Sequence, residues 1–261
     1  MSVPTALPAT LEAAQAVIVQ KQAELDRLHA MHEAWMRAVA HDLRAPLRHV
    51  VSFAPLLKEA VEELSDAAPQ AIEAVADARE FAATMEHAAR KMSAMLDGLA
   101  TISRAARVSL HWEALDWTAL VSSLVEPLRA QFPSVQWTLP TQPVWVMADA
   151  DGLRRIMQAL LDNAVKFSAC EAQPHVSLAA RPQDSAGWQL QVQDNGVGFD
   201  DQRAQHLGDL FQRMHRDNEF DGVGCGLALV QTIAQRHGAS WRVQSQPKMG
   251  CTVFLNWPVV M

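Results

Sequence analysis

The 261-residue chain has no apolar run near the roughly 20 residues that a bilayer span requires. Its N-terminus also lacks a basic segment followed by an apolar core, so the pattern of a secretory signal is absent. Cysteine is scarce. Cys170, Cys225 and Cys251 have neither zinc-site spacing nor CxxC pairing, which excludes a disulfide framework and a structural zinc. Basic residues are outnumbered: 22 Lys+Arg stand against 29 Asp+Glu, a net charge of −7 that argues against nucleic-acid binding through a strong basic field. These absences lead us to expect a reduced, soluble, cytoplasmic chain. What is present is 49% apolar residues, enough for a sizeable core.

Glycine is also missing until Gly98, and this absence divides the sequence. Before about residue 108 the chain is rich in Ala, Glu and Met with helical periodicity. After it come ten of the 11 glycines and seven of the eight tryptophans, among short alternating apolar segments. In the first part, Met36, Ala40, Leu43, Leu47, Val50, Ala54, Leu57, Val61 and Leu64 step alternately by four and three, as do Val75, Ala78, Ala82, Met85, Ala89, Met92, Leu96, Leu99 and Ser103. Phe81, Ala88, Met95 and Ile102 widen the second stripe, which suits a bundle better than a thin coiled-coil seam. A turn at Ser65–Pro69 would make an antiparallel hairpin. Two helices cannot cover both stripes, so two copies are expected to pair into a four-helix bundle. Upstream, Leu11, Ile18, Leu25, Leu28, Trp35 and Val39 form a weaker heptad that joins the bundle through a stutter, either an input coil or an extension of the bundle.

The second part predicts strands at 109–113, 135–139, 144–147, 176–181, 188–194, 240–245 and 252–257, and helices at 116–131, 149–167 and 224–237. The polar, punctuated stretch from Asp200 to Asp221 reads as a lid or loop.

Four short constellations carry chemistry. In His41-Asp42-Leu43-Arg44-Ala45-Pro46-Leu47, the heptad frame turns His41 outward, with Arg44 and Arg48 on the same face, a combination suited to a phosphoryl group. Asp42, about 100° around the helix, is near enough to orient or deprotonate the imidazole. Pro46 removes an amide and should kink the helix. In Asp162-Asn163-Ala164-Val165-Lys166-Phe167, Asn163 and Lys166 share a helix face and offer an amide oxygen to Mg²⁺ and an ammonium to phosphate. In Asp194-Asn195-Gly196-Val197-Gly198-Phe199, a carboxylate at a strand end can accept from an exocyclic amine, beside glycines that admit a flat ligand; Asn-Gly is equally a hairpin-turn signal. In Gly222-Val223-Gly224-Cys225-Gly226-Leu227, glycines precede a helix N-terminus suited to phosphate.

In this order, the four resemble the catalytic core of a two-component sensor histidine kinase, from about Trp35 to Pro258. His41 to Pro46 resembles the H-box, Asn163 to Phe167 the second half of the N-box, Asp194 to Gly198 the G1 box, Leu210 to Arg213 the F-box, and Gly222 to Leu227 the G2 box. His-Asp-Leu-Arg-Ala-Pro-Leu-Arg-His looks most like phytochrome-type kinases. The resemblance implies an α plus α/β protein: an antiparallel helical hairpin dimerising into a four-helix bundle, then an α/β sandwich that binds ATP. It implies an input segment over 1–34, a dimerisation and phosphotransfer domain over 35–107 and an ATP-binding domain over 108–261. His41 would be the phosphoacceptor and Asp42 its general base, Asn163 would hold Mg²⁺, Lys166 would touch phosphates, and Asp194 would read the adenine amine. Phe167, Gly196, Gly198, Gly222, Gly224, Gly226, Leu227 and Thr252 would surround the nucleotide. The implied partners are a second copy of the chain, the receiver domain of a response regulator, and an upstream sensor.

Two departures stand out. The N-box usually has another asparagine four residues before Asn163, where this chain has Ala159. Many relatives place Thr or Asn four residues after the phosphoacceptor to position a water for phosphatase chemistry, where this chain has Ala45. Ala159 supports the alternative of a degenerate, weakly nucleotide-binding dimeric scaffold, while Ala45 argues against phosphatase activity by that route; a phosphatase-biased signalling protein is the other alternative.

Overall fold

The computed structural model describes residues 15, 17–19, 21–22, 43–44, 47–63, 72–183, 187–200, 207–212, 214, 220 and 222–258. His41, Asp42, Ala45 and Pro46 lie outside the described residues, as do the Ser65–Pro69 turn, Arg213 and all of the upstream heptad except Ile18. The chain divides into two compact units, Met1–Glu86 and His87–Met261.

In the first unit, helical residues 47–63 (α1) meet the start of α2 (Ile72–Ala105). Leu47, Ala54 and Val61 of α1 are buried at steps of seven, and Val75 and Ala82 of α2 likewise, as the stripe pattern predicts. The pairing of Lys58 with the buried Glu86 ties the two helices together. Much of the stripes stays open: Leu43 and Leu57 of the first and Phe81 and Met85 of the second are exposed, as are Phe53 and Leu56 beside them. His49, Val50, Phe53, Ala54, Leu56, Leu57, Ala82 and Met85 line an apolar groove of about 510 Å³. A lone helical hairpin buries one edge of a wide apolar stripe and leaves the other to water.

The second unit follows from local signals that agree with one another. The rest of α2 leads to β1 (Trp112–Asp116), α3 (Trp117–Gln131), β2 (Gln136–Thr138), β3 (Trp145–Asp149), α4 (Ala150–Ser168), β4 (His175–Gln183), β5 (Gly187–Asp194), α5 (Gly226–Arg236), β6 (Ser240–Gln246) and β7 (Gly250–Pro258). All seven expected strands are present. β1 starts three residues later than its sequence suggests, because antiparallel pairing with β3 carries it to Asp116, which then caps α3. The α5 helix begins at Gly226 rather than Gly224, whose φ of +73° lies outside the helical region. The other strands form a five-stranded sheet of order β2-β4-β5-β7-β6, with β2 and β4 parallel and the remaining pairs antiparallel. A helical region followed by an α/β layer structure agrees with the expected fold class.

The core lies between this sheet and the helices. The apolar face of α4 supplies Leu153, Ile156, Met157, Leu160, Leu161 and Val165, packed with Leu178, Leu190, Val192, Leu255 and Trp257 from the strands. The Asp149 carboxylate fixes the start of α4, accepting from the Gly152 amide at 2.8 Å and the His111 amide at 2.9 Å. His237, at 2% exposure, locks the end of α5 onto the same point: its Nε2 accepts from the Asp149 amide at 3.1 Å, so Nδ1 carries the proton and donates to the Ile233 carbonyl at 2.8 Å. Burial disfavours the charged ring and outweighs the Ile233 hydrogen bond, so its pKa lies below the ordinary histidine value. This histidine is a structural strut that aligns α4 and α5, the two helices that wall the cavity described next.

Candidate nucleotide-binding site

A cavity of about 350 Å³ opens between α4, the ends of β5 and β7, and the segment leading into α5. That size suits a small organic ligand. α4 turns its buried face to the sheet and presents Asn163, Lys166 and Phe167 to the cavity, with Asp162 and the methyl group of Ala159. Lys166 Nζ sits 4.3 Å over the Phe167 ring. Phe220, from the segment before α5, meets the same ring edge-on with centroids 5.0 Å apart. The glycine run closes the far wall: a Cβ on Gly222 would stand 3.4 Å from Lys166 Nζ and one on Gly226 3.7 Å from Asn163 Nδ2.

Asp194 ends β5 on the cavity floor and is only 7% exposed. Its Oδ1 accepts from the Gly196 amide at 2.9 Å, and the Cys251 and Asp194 amides also donate to the carboxylate. Burial outweighs these donors and pushes its pKa up to about 6. The turn after it is held by Asn195, whose side chain accepts from the His175 amide and donates to the Gln173 carbonyl, both at 2.8 Å. The Asn-Gly pair therefore anchors a loop rather than making a hairpin. Gly196 is required by close approach, since a Cβ there would lie 2.2 Å from the Phe167 carbonyl oxygen.

The C-terminal part of the sequence matches the model of the histidine kinase-, DNA gyrase B-, and HSP90-like ATPase family over residues 148–261, the stretch that contributes α4, Asp194 and the glycine run. Almost the whole chain aligns with Cyanobacterial phytochrome A of Nostoc sp. (28% identical over 243 residues, 93% of this chain and 30% of that protein). Sensor histidine kinase TrcS of Mycobacterium tuberculosis is 31% identical over 225 residues, 82% of this chain and 41% of that protein. The chain carries a sensor histidine kinase catalytic core. Among solved structures, the mycobacterial sensor histidine kinase MprB superposes over 58% of this chain and 100% of its own, with a TM-score of 0.51 and 26% identity. The chain spans less than half the length of either curated relative.

The fold thus brings nine residues singled out in the sequence of this kinase core to one cavity: Asn163, Lys166, Phe167, Asp194, Gly198, Gly222, Gly224, Gly226 and Leu227. Gly196 and Thr252 are not among its lining residues. Gly196 supports the wall from behind, and Thr252 projects from the opposite face of β7, whose alternation sends Cys251 and Val253 inward instead. Sequence reasoning missed Phe220 and the two lining cysteines, which carried no pattern of their own.

It also missed Gly250 as a positioning residue. Gly250 has φ +85°, and a Cβ there would lie 2.0 Å from the Asp194 carbonyl oxygen. The only sequence signal was a glycine at the start of a strand after a turn. Gly250→Ala should destabilise the fold by at least about 3 kcal/mol and lower Tm by roughly 10 °C. It should also cost at least tenfold in nucleotide affinity, because the backbone of Asp194 must move. Calorimetry and nucleotide titration would check both, and an unchanged Tm would show that the β5–β7 contact relaxes freely.

Proposed function

We propose that this chain uses ATP to phosphorylate its own His41 and passes the phosphoryl group to an aspartate of a response regulator. The observation that carries the reading is the convergence of Asn163, Lys166, Asp194 and the glycine run on one cavity of an ATP-binding fold. Asp194, an acceptor facing an apolar-walled space, is suited to read the adenine amine, with Phe167 and Leu227 beside it. Lys166 can leave the Phe167 ring to meet phosphate. The Asn163 amide oxygen is the candidate Mg²⁺ ligand. Among the described residues no three His, Cys, Asp or Glu side chains gather as a metal site, so phosphate oxygens and water would complete the shell. When bound, that ion would neutralise charge on the phosphates.

In the proposed reaction the neutral imidazole of His41 attacks the γ-phosphorus in line, the bond to the ADP oxygen breaks, and Asp42 takes the imidazole proton. Most of the acceleration would come from positioning and charge stabilisation. The phosphoramidate formed is a competent donor to a carboxylate. The domain limits of 1–34, 35–107 and 108–261 belong to this proposal, as does a cytoplasmic location. Among the described residues no helix is long and apolar enough to cross a membrane.

Dimerisation is part of the same reading, supported by the open apolar stripe. Leu57→Glu, which puts a charge in the groove, should weaken self-association on the order of 100-fold. Sedimentation at several concentrations would detect it, and an unchanged dimer would move the interface elsewhere.

The test of the whole reading is incubation of the chain with γ-labelled Mg-ATP. Acid-labile, base-stable label on the protein supports it. ATP binding without label would favour a phosphatase-biased protein. Neither binding nor label would favour the scaffold alternative, for which the methyl of Ala159 in the cavity wall is the supporting observation.

A further inference from the structure

The three cysteines occupy two environments. Cys170 is exposed, whereas Cys225 and Cys251 are half-buried and both line the nucleotide cavity. Cys251 pairs with Asp194 across β5 and β7, and its amide donates to that carboxylate. Cys225 immediately precedes α5, and its side chain makes no capping hydrogen bond there. On its other side the sulfur is backed by α2: a Cβ built on Gly98 would lie 2.5 Å from Cys225 Sγ.

We propose that the cavity is a thiol-modification site, in which small uncharged soft electrophiles alkylate Cys225 and Cys251 and so exclude nucleotide. The inference rests on reading the cavity as the nucleotide site. In the alkylation, the sulfur lone pair attacks the electrophilic carbon and an S–C bond forms. The leaving group departs with its bonding electrons, and the thiol proton passes to buffer. The polypeptide decides where the new group goes. The α2 backbone at Gly98 blocks growth on one side of Cys225, so an adduct there extends into the cavity, toward Asn163 and Gly226. An adduct on Cys251 grows beside Asp194, where the adenine ring is proposed to sit. The apolar walls, with Val192, Phe199 and Val253, favour uncharged reagents over charged ones. Burial raises the Cys225 thiol above its ordinary pKa, which makes it slower than an open thiol.

Iodoacetamide tests this, since it leaves a group no larger than an asparagine side chain. The full chain is labelled with and without saturating Mg-ADP, and each cysteine is followed by peptide mass spectrometry. Cys170 should label fastest and at one rate in both conditions. Cys225 and Cys251 should label more slowly, and Mg-ADP should slow each at least tenfold. In a Cys170→Ser background, the alkylated chain should have lost at least tenfold in ADP affinity. The proposal is overturned if the folded, nucleotide-free chain leaves both cavity cysteines unlabelled, if bound ADP protects neither, or if the alkylated chain binds ADP undiminished. If the unmodified chain binds no ADP, the functional reading fails instead. The thiol site is then decided by labelling alone: alkylation of Cys225 and Cys251 in the folded chain upholds it, and inert cavity cysteines overturn it.

Discussion

With His41 replaced by alanine, the chain should take up less than about one thousandth of the wild-type acid-labile phosphoryl label, because the variant lacks the proposed nucleophile and not merely a helper. The expectation starts from the helix. Arg44 and Arg48, three and seven residues on, are helical, with Arg48 exposed and Arg44 half-exposed. A side chain at position 41 in the same helical frame would share their face, where two guanidiniums can hold a transferred phosphoryl group. The described lining of the proposed nucleotide cavity comes from residues 159–253, so ADP affinity should stay within about twofold of wild type. Label on another residue of His41→Ala would overturn the assignment of the acceptor, and a joint loss of ADP binding would mean that the variant is misfolded.

Asp194→Asn should weaken adenine-nucleotide binding roughly 100-fold, which is the cost of losing a hydrogen bond to a charged acceptor in a buried site. The same residue sets a pH dependence. With its pKa pushed up to about 6, Asp194 holds a proton below that pH, and an acceptor for an amine must first release it. Wild-type affinity should therefore fall by up to about tenfold per pH unit below 6, with proton release on binding, and the Asn variant should show neither effect.

Stability should move the other way. A carboxylate with a raised folded-state pKa binds more protons folded than unfolded, so its contribution is present at low pH and lost as pH rises from 3.8 to about 6. The loss is on the order of 3 kcal/mol. Without nucleotide at pH 7.5, Asp194→Asn should melt higher than wild type, while a given concentration of ADP should stabilise it less. Calorimetry at two pH values, with and without ADP, would check this. A variant less stable than wild type at both pH values would show that the amide donors around Asp194 outweigh its burial.

Periodicity carried the helical part of the fold well, because Leu47, Ala54, Val61, Val75 and Ala82 bury the same stripe whose spacing can be counted in the sequence. The strands were legible where alternation is clean, as in β5, and displaced where pairing decides, as in β1. Part of the cavity wall was legible because Asn163, Lys166, Asp194 and the glycines come in short runs with a fixed order. Gly250, Cys251 and Phe220 were not, since each owes its place to a contact across the fold: β7 against β5, or Phe220 against Phe167. Thr252 shows the converse. A residue one position from a lining side chain on a strand points to the other face, a difference that motif spacing does not record.

The perch of Lys166 on the Phe167 ring bears on which ligands the site ignores. A cation already resting on an aromatic face gains little from an isolated phosphate, which offers only the difference between two attractive partners. In the proposed binding mode a nucleotide would bring its own compensation: the base would engage the far end of the cavity, and the phosphates would arrive tethered, at high local concentration, to a lysine that they could then draw away. Proposed discrimination against inorganic phosphate and short polyphosphates would then be built into the resting geometry, as a threshold that a ligand crosses only by being held at both ends.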